Sequence, residues 1–322
     1  FATHVCGAHK QLTGLWNQSL CWVVRFHYTS AKAGKILYSL TVTGGNKGIG
    51  FGIVRELCGN FDGKVYLTAR DEGRGRAAIE ELSKVGLSAH FHQLDIDDAE
   101  SIANLADYIK KTYGGFDVLV NNAAIAYKNA ATEPFAEQAE NTIRVNYFGT
   151  LAVCHALFPL LRPHARVATV SSSCGHLSRI NGNEPQATAL RNKFGSPTLT
   201  EQELGDLMNQ FIIKAKEGTW KEAGWSNSTY VVSKVGVSAL TRIQQRAFDA
   251  DQRPDMVVNS CHPGYVDTDM TSHGGPMTIK QGAVCPSYLA MLPPDIKEPR
   301  GAYLWHDKQV VDWVNGSTPS IV

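Results

Sequence analysis

From Ile36 onward, short apolar runs alternate with stretches whose apolar positions recur every three or four residues. The runs Ile36 to Val42, Lys64 to Ala69, Ala89 to Asp95, Val118 to Asn121, Arg166 to Ser171 and Met256 to Cys261 read as strands. Between them, Gly48 to Cys58, Gly73 to Val85, Asp97 to Tyr113, Asn141 to Phe158 and Tyr230 to Phe248 read as helices. Strands that alternate with helices build parallel βαβ units. The fold expected is therefore α/β, a doubly wound parallel sheet in a single domain over residues 36–322. A further helical segment is expected inside it. Thr200 and Glu203 have the spacing of a capping box, and Leu204, Leu207, Met208, Phe211 and Ile212 follow at helical intervals. Neither an internal repeat nor a linker divides the chain.

Composition narrows the partners. Lys and Arg number 31 and Asp and Glu 30, so there is no basic excess to meet nucleic acid phosphates. No apolar run is long enough to cross a membrane as a helix. The seven cysteines lack C-x-x-C spacing, and no Cys/His cluster has metal-ligand spacing. Free thiols in the cytoplasm, and no metal, are the expectation. The first 35 residues stand apart, since no acid occurs before Glu56. They read as an extension, disordered or foreign to the working protein. A transit peptide or an added structural element are the alternatives.

The first strand-to-helix junction, Thr43 to Gly50, carries Gly44, Gly48 and Gly50 as G-x-x-x-G-x-G. Glycines here let the chain turn tightly and let a pyrophosphate approach the helix N-terminus, as in Rossmann-type folds. A ligand-free glycine turn is the plain alternative. An NAD site places an acid at the end of the second strand to hold the ribose 2′-hydroxyl. That position falls at or near Ala69, which offers none. Arg70, Arg74 and Lys47 are instead placed for a 2′-phosphate, although Asp71 stands close by and each cation alone would serve as a solvated surface charge. Asp95, ending the third strand, is placed to accept from an adenine amino group or to cap the next helix.

At the other end, Tyr230 and Lys234 form Y-x-x-x-K in a predicted helix, which puts both on one face. The ammonium is expected to favour the phenolate and lower the tyrosine pKa, so that the hydroxyl exchanges a proton with a carbonyl oxygen. A second copy, Tyr28 to Lys32, reads as chance. Ser171, at a strand end in Val-Ser-Ser-Ser, is expected to reach the same oxygen. As plain alternatives, it is a turn residue.

Taken together, TGGNKGIG, LDI, VNNAA, VNYFGT, VSSS, Y-x-x-x-K and HPGYVDT occur in the order of the short-chain dehydrogenase/reductase family, which the chain resembles from about Val42 to about Met270. Within that family, ARDEGRG, FHQLDIDD, YGGFDVLVNNA and LPPD make it similar to the NADPH-dependent carbonyl reductases. The resemblance implies a small-molecule carbonyl substrate, NADPH/NADP+ as cofactor, and a catalytic set of Ser171, Tyr230, Lys234 and Asn146. Asn146 would hold a water and Lys234 in a proton relay. It also implies cofactor contacts at Gly44, Asn46, Lys47, Gly48, Ile49, Arg70, Asp95, Ile96, Asn122, Val266, Asp267 and Thr268; the glycine pattern and the charge argument add Gly50 and Arg74.

Two positions depart from the family. Ala124 stands where a glycine is usual, at a cost of about 1 kcal/mol if the backbone there needs a positive φ. His262 replaces a cysteine; it either packs locally or makes activity respond to pH near neutrality. Ser171 and Tyr230 also lie unusually far apart, with an insertion at about 174–227. In the carbonyl reductases an insertion at this place covers the tyrosine helix within one chain, which implies a monomer with Leu204, Leu207 and Phe211 packed over that helix. A mobile lid, with Trp220 and Trp225 touching substrate, is the alternative. Other readings of function are an alcohol dehydrogenase or pterin-type ketone reductase, and a non-catalytic NADP-binding scaffold or redox sensor.

Overall fold

The computed structural model describes residues 38–128 and 130–320. The N-terminal extension, with Tyr28, Lys32, Cys6 and Cys21, lies outside the described residues. The sheet strands are β1 (Ser39–Val42), β2 (Lys64–Ala69), β3 (His90–Gln93), β4 (Phe116–Asn121), β5 (Leu161–Val170), β6 (Val257–Cys261), β7 (Tyr303–Leu304) and β8 (Val310–Val311). They form one sheet in the order β3-β2-β1-β4-β5-β6-β7-β8, parallel throughout except for the β7–β8 pair. The expected doubly wound sheet is thus present, and the order reverses between β1 and β4. A crevice opens at such a switch point beyond the carboxyl ends of the strands.

Continuous apolar runs explain the strands. Leu40, Val42, Leu67 and Val120 are fully buried, as expected of a sheet covered on both faces. One face carries α1 (Gly48–Asn60), α2 (Glu72–Lys84) and α9 (Ile279–Ala290), whose Ile53, Leu57, Leu82 and Leu289 pack on the sheet. Elsewhere lie α3 (Ala99–Tyr113) and α8 (Thr229–Asp249), packed through Ile102, Leu105 and Phe248. The helix expected over Asn141 to Phe158 starts earlier. It comprises α4 (Phe135–Ile143), a π-helical turn at Arg144–Gly149 and α5 (Thr150–Leu157). Asn146 lies in that π turn, a local widening that often marks functional positions.

The inserted segment is helical: α6 (Gln186–Gly195) and α7 (Glu201–Glu217). Thr200 caps α7, and its amide is bonded in return to Glu203. Leu204, Leu207, Met208 and Phe211 are buried in one cluster with Val231, Val232 and Val235 of α8. A side chain at Gly236 of α8 would come within 2.7 Å of the Met208 sulfur, so α7 lies directly against the tyrosine helix. Trp225 is fully buried against Phe194 and Phe211, and Trp220 stacks on Phe135 at 4.2 Å. Trp225 belongs to the core and Trp220 packs partly buried against it. Among the described residues, no helix is long and apolar enough to cross a membrane.

Candidate active site

A cavity of about 540 Å³ opens at the switch point. Its floor is the glycine junction. Gly48 has φ +55°, a left-handed conformation that glycine adopts without strain. Gly50 is required for a different reason, since a Cβ there would lie 2.3 Å from the Gly44 carbonyl oxygen and 2.4 Å from Asn122 Nδ2. Asn122 fastens this floor by donating to the carbonyls of Thr43 (2.9 Å) and Gly44 (3.1 Å). The first turn of α1 carries no acidic residue, which leaves its N-terminus free to favour an anion.

The cavity gathers most of the residues expected at it: Gly44, Asn46, Lys47, Gly48, Ile49, Gly50, Arg70, Arg74, Asp95, Ile96, Asn122, Asp267 and Thr268, with Ser171, Tyr230 and Lys234 at the far end. At the nucleotide end Ala69 lines the wall and supplies no acid. The nearby carboxylate, Asp71, is the N-cap of α2, accepting from the Arg74 amide at 2.7 Å and facing Arg74 Nε at 3.5 Å. Asp95 accepts from the Asp97 amide at 3.1 Å, while the cap of α3 is Asp98.

Two expected contacts fall outside. Val266 does not line the cavity: its side chain is buried against α9, where a Cβ at Gly282 would approach its Cγ2 to 2.5 Å. The extended chain alternates, so Asp267 and not Val266 faces the cavity. Asn146 is buried behind the wall. Its Oδ1 accepts from the Ile125 amide at 2.8 Å, and its Nδ2 donates to the Ile125 carbonyl (2.9 Å) and to Ser233 Oγ (3.0 Å). It therefore joins the cavity-lining Ile125 to α8; its amide is not on Lys234.

The serine departs from the expectation. Ser171 borders the cavity, but its Oγ is turned into α8, 2.8 Å from Ser238 Oγ and 3.2 Å from the Lys234 carbonyl. Successive side chains at a strand end point to opposite sides, so Ser172, and not Ser171, is the serine whose hydroxyl acts on Tyr230, opposing the rise in its pKa. Tyr303 donates to the Ser172 carbonyl at 2.6 Å and fixes that turn. The triple serine run offers no pattern that separates these residues; the pairing of β5 with β6 does.

Lys234 follows Tyr230 by one turn of α8. Its Nζ donates to the Val170 carbonyl at 2.8 Å and lies 5.6 Å from the centre of the Tyr230 ring. Burial pushes the Lys234 amine down to about 8. Burial also pushes the Tyr230 hydroxyl up, with the Ser172 hydrogen bond opposing. The lowering expected from Lys234 is therefore not what the site shows: the ammonium is turned to a carbonyl, and desolvation dominates. His262 is packed into the interior. It is buried beside Trp305, with ring centres 4.3 Å apart, and its Nδ1 accepts from the Ser173 amide at 2.9 Å. Burial, with His306 adding to it, pushes it down to about 3, so it stays neutral. Ala124 lines the cavity and is not among the positive-φ residues, so its methyl strains nothing in the backbone.

This geometry defines a class: a dinucleotide cavity with a tyrosine beside a strand-end serine, and a buried lysine one turn on, at its reacting end. The comparisons resolve the class further, and the chain belongs to the short-chain dehydrogenase/reductase family. The short chain dehydrogenase signature matches residues 39–188. Carbonyl reductase (NADPH) 1 of Bos taurus is 49% identical over 276 residues, covering 84% of this chain and 97% of that protein. Carbonyl reductase (NADPH) 3 of Mus musculus is 49% identical over 273 residues, with the same coverage. Among solved structures, salutaridine reductase from Papaver somniferum superimposes with a TM-score of 0.73 at 32% identity, over 83% of this chain and 99% of that one. Menthone neomenthol reductase from Mentha piperita gives 0.69 at 30%, over 84% and 99%.

Proposed function

We propose that this chain is an oxidoreductase that reduces quinones, aldehydes and ketones to alcohols with NADPH. The observation that carries the reading is Tyr230 with buried Lys234 one helical turn on, at one end of a cavity whose other end is a glycine cradle with Arg70 and Arg74. The cradle suits a pyrophosphate at the α1 N-terminus. The paired arginines, with no acid at Ala69 and Asp71 engaged as a helix cap, suit a 2′-phosphate. Bound there, NADPH supplies a hydride.

The remaining work belongs to side chains. Ser172 donates a hydrogen bond to the substrate carbonyl oxygen and polarises it. Tyr230, kept protonated by burial, gives its proton to that oxygen as charge develops. Lys234 keeps a cation near the phenol and is placed for ribose hydroxyls. Asn146 acts through others, holding Ile125 and α8 in register. Asn46, Ile49, Asp95, Ile96, Asp267 and Thr268 line the nucleotide part of the cavity.

Three coarser points go with this reading. Residues 36–322 work as one domain. The protein acts as a monomer, because α7 already covers α8 with an apolar face that an oligomer would otherwise bury. It works in the cytoplasm, a compartment in keeping with five described cysteines that are all free. The test of function is NADPH consumption with a panel of quinones, aldehydes and ketones, set against oxidation of simple alcohols with NADP+. Turnover confined to alcohol oxidation, or none with any member, would overturn the reading.

A further inference from the structure

Ser172 opens a short turn that the last part of the chain holds from outside the cavity. After β5 the backbone makes one 3₁₀ turn over Ser173–Gly175. The segment from Tyr303 to Val314 runs past this turn and contacts it repeatedly. Tyr303 donates from its hydroxyl to the Ser172 carbonyl at 2.6 Å, and Trp313 donates from its indole to the Gly175 carbonyl, also at 2.6 Å. His176, just after the turn, accepts at Nδ1 from the Ser178 amide at 3.3 Å, so its Nε2–H donates to the Asp312 carbonyl at 3.2 Å. The Ser173 amide is held by His262, which packs on Trp305 of the same segment.

These contacts lie in the interior. Tyr303 and Trp313 are both buried. Burial pushes the Tyr303 hydroxyl well above its ordinary value, so it stays a donor. The Arg242 guanidinium of α8 lies 5.4 Å from the centre of the Trp313 ring, which ties the segment to the helix that carries Tyr230 and Lys234. Val314 packs at the end of α6, where a Cβ at Gly195 would come within 3.1 Å of its Cγ1. No residue from 303 to 314 lines the cavity. The segment therefore reaches the chemistry only through the turn it holds.

Resting on the reading of Ser172 and Tyr230 as the groups that act on a carbonyl oxygen, we infer that Tyr303 and Trp313 are positioning residues: from the C-terminal segment they fix the turn after β5, and so aim the Ser172 hydroxyl at the reacting end of the cavity. A displacement of about 1 Å at a reacting group costs up to about 10²-fold in rate. The loss of one of two anchors should cost less, about tenfold in kcat. The KM for NADPH should hold, since Arg70 and Arg74 lie at the other end of the cavity.

Tyr303→Phe deletes one oxygen and leaves the Ser172 carbonyl bonded to the Gly175 amide at 2.8 Å, so the fold is kept. Trp313→Phe removes the second donor and keeps an aromatic ring. Each should lower kcat about tenfold with a carbonyl substrate and NADPH. Hydrogen–deuterium exchange of the amides of Ser173, Cys174 and Gly175 should be faster in both. The deciding measurement is Tyr303→Phe made in a Ser172→Ala background. If Tyr303 acts through Ser172, kcat there should change by less than about twofold. The same tenfold loss in both backgrounds would mean a merely structural role and overturns the inference, as does wild-type kcat or unchanged exchange in both single variants. If the wild type turns over no carbonyl, the functional reading fails; faster exchange in the variants then supports the hold on the turn, and unchanged exchange overturns it.

Discussion

Ser171 and Ser172 differ by one position and, on this account, by their whole role. Ser172→Ala removes the hydroxyl that acts on Tyr230 and that would donate to the carbonyl oxygen. Loss of one such donor costs about 10²–10³-fold in kcat. Its structural cost is small, since beyond Tyr230 the hydroxyl caps only the turn at Cys174. Ser171→Ala reverses the balance. The hydroxyl is buried and bonded to Ser238 Oγ and to the Lys234 carbonyl. Ser238 Oγ keeps its own bond to that carbonyl at 3.0 Å, so no buried group is orphaned, and the loss is about 0.5–1.5 kcal/mol. In a protein of this size that shifts Tm by a few degrees, roughly 2–4 °C per kcal/mol. The assay is kcat with NADPH and a quinone, run beside thermal unfolding of both variants. A hundredfold loss of kcat in Ser171→Ala with an unchanged Tm, together with near-normal turnover in Ser172→Ala, would refute the reasoning.

Three further outcomes are expected. Arg70→Ala combined with Arg74→Ala should raise KM for NADPH and barely move that for NADH, since each charge-assisted phosphate contact contributes about 1.5–3 kcal/mol; parallel changes for both cofactors would count against the 2′-phosphate assignment. Burial sets the Lys234 amine at about 8, so its cation is present below that pH and is lost above it. Reduction kcat/KM should therefore fall as pH rises through about 8, and a profile that stays flat well into the alkaline range would exclude Lys234 as the titrating group. Light scattering should report a monomer at micromolar concentration, and a stable dimer or tetramer would turn α7 into an interface or lid element.

The sheet and its helices were legible because the apolar runs and the helical periods lie between glycine and asparagine turns. The strand Lys64–Ala69 and the helix cap at Thr200 fall where the pattern puts them. The nucleotide end was equally legible, since glycines at a strand–helix junction and cations after Ala69 are local signals. What failed depended on direction. Whether Ser171 or Ser172 faces Tyr230 is decided by strand alternation against β6, and Val266 is drawn inward by Gly282, a contact remote in sequence. The raised pKa of Tyr230 has a related cause. Helical spacing places Lys234 beside it but does not reveal the burial that outweighs the charge.

The central claim is that Tyr230 is the proton donor in an NADPH-dependent carbonyl reduction, and Tyr230→Phe tests it most directly. The measurement is turnover of a quinone or activated ketone with NADPH, paired with a fluorescence titration of NADPH binding to the same protein. A positioned general acid contributes about 10²–10⁴-fold, so turnover should fall by at least that much while NADPH binding stays close to wild type. Wild-type turnover in Tyr230→Phe would contradict the account.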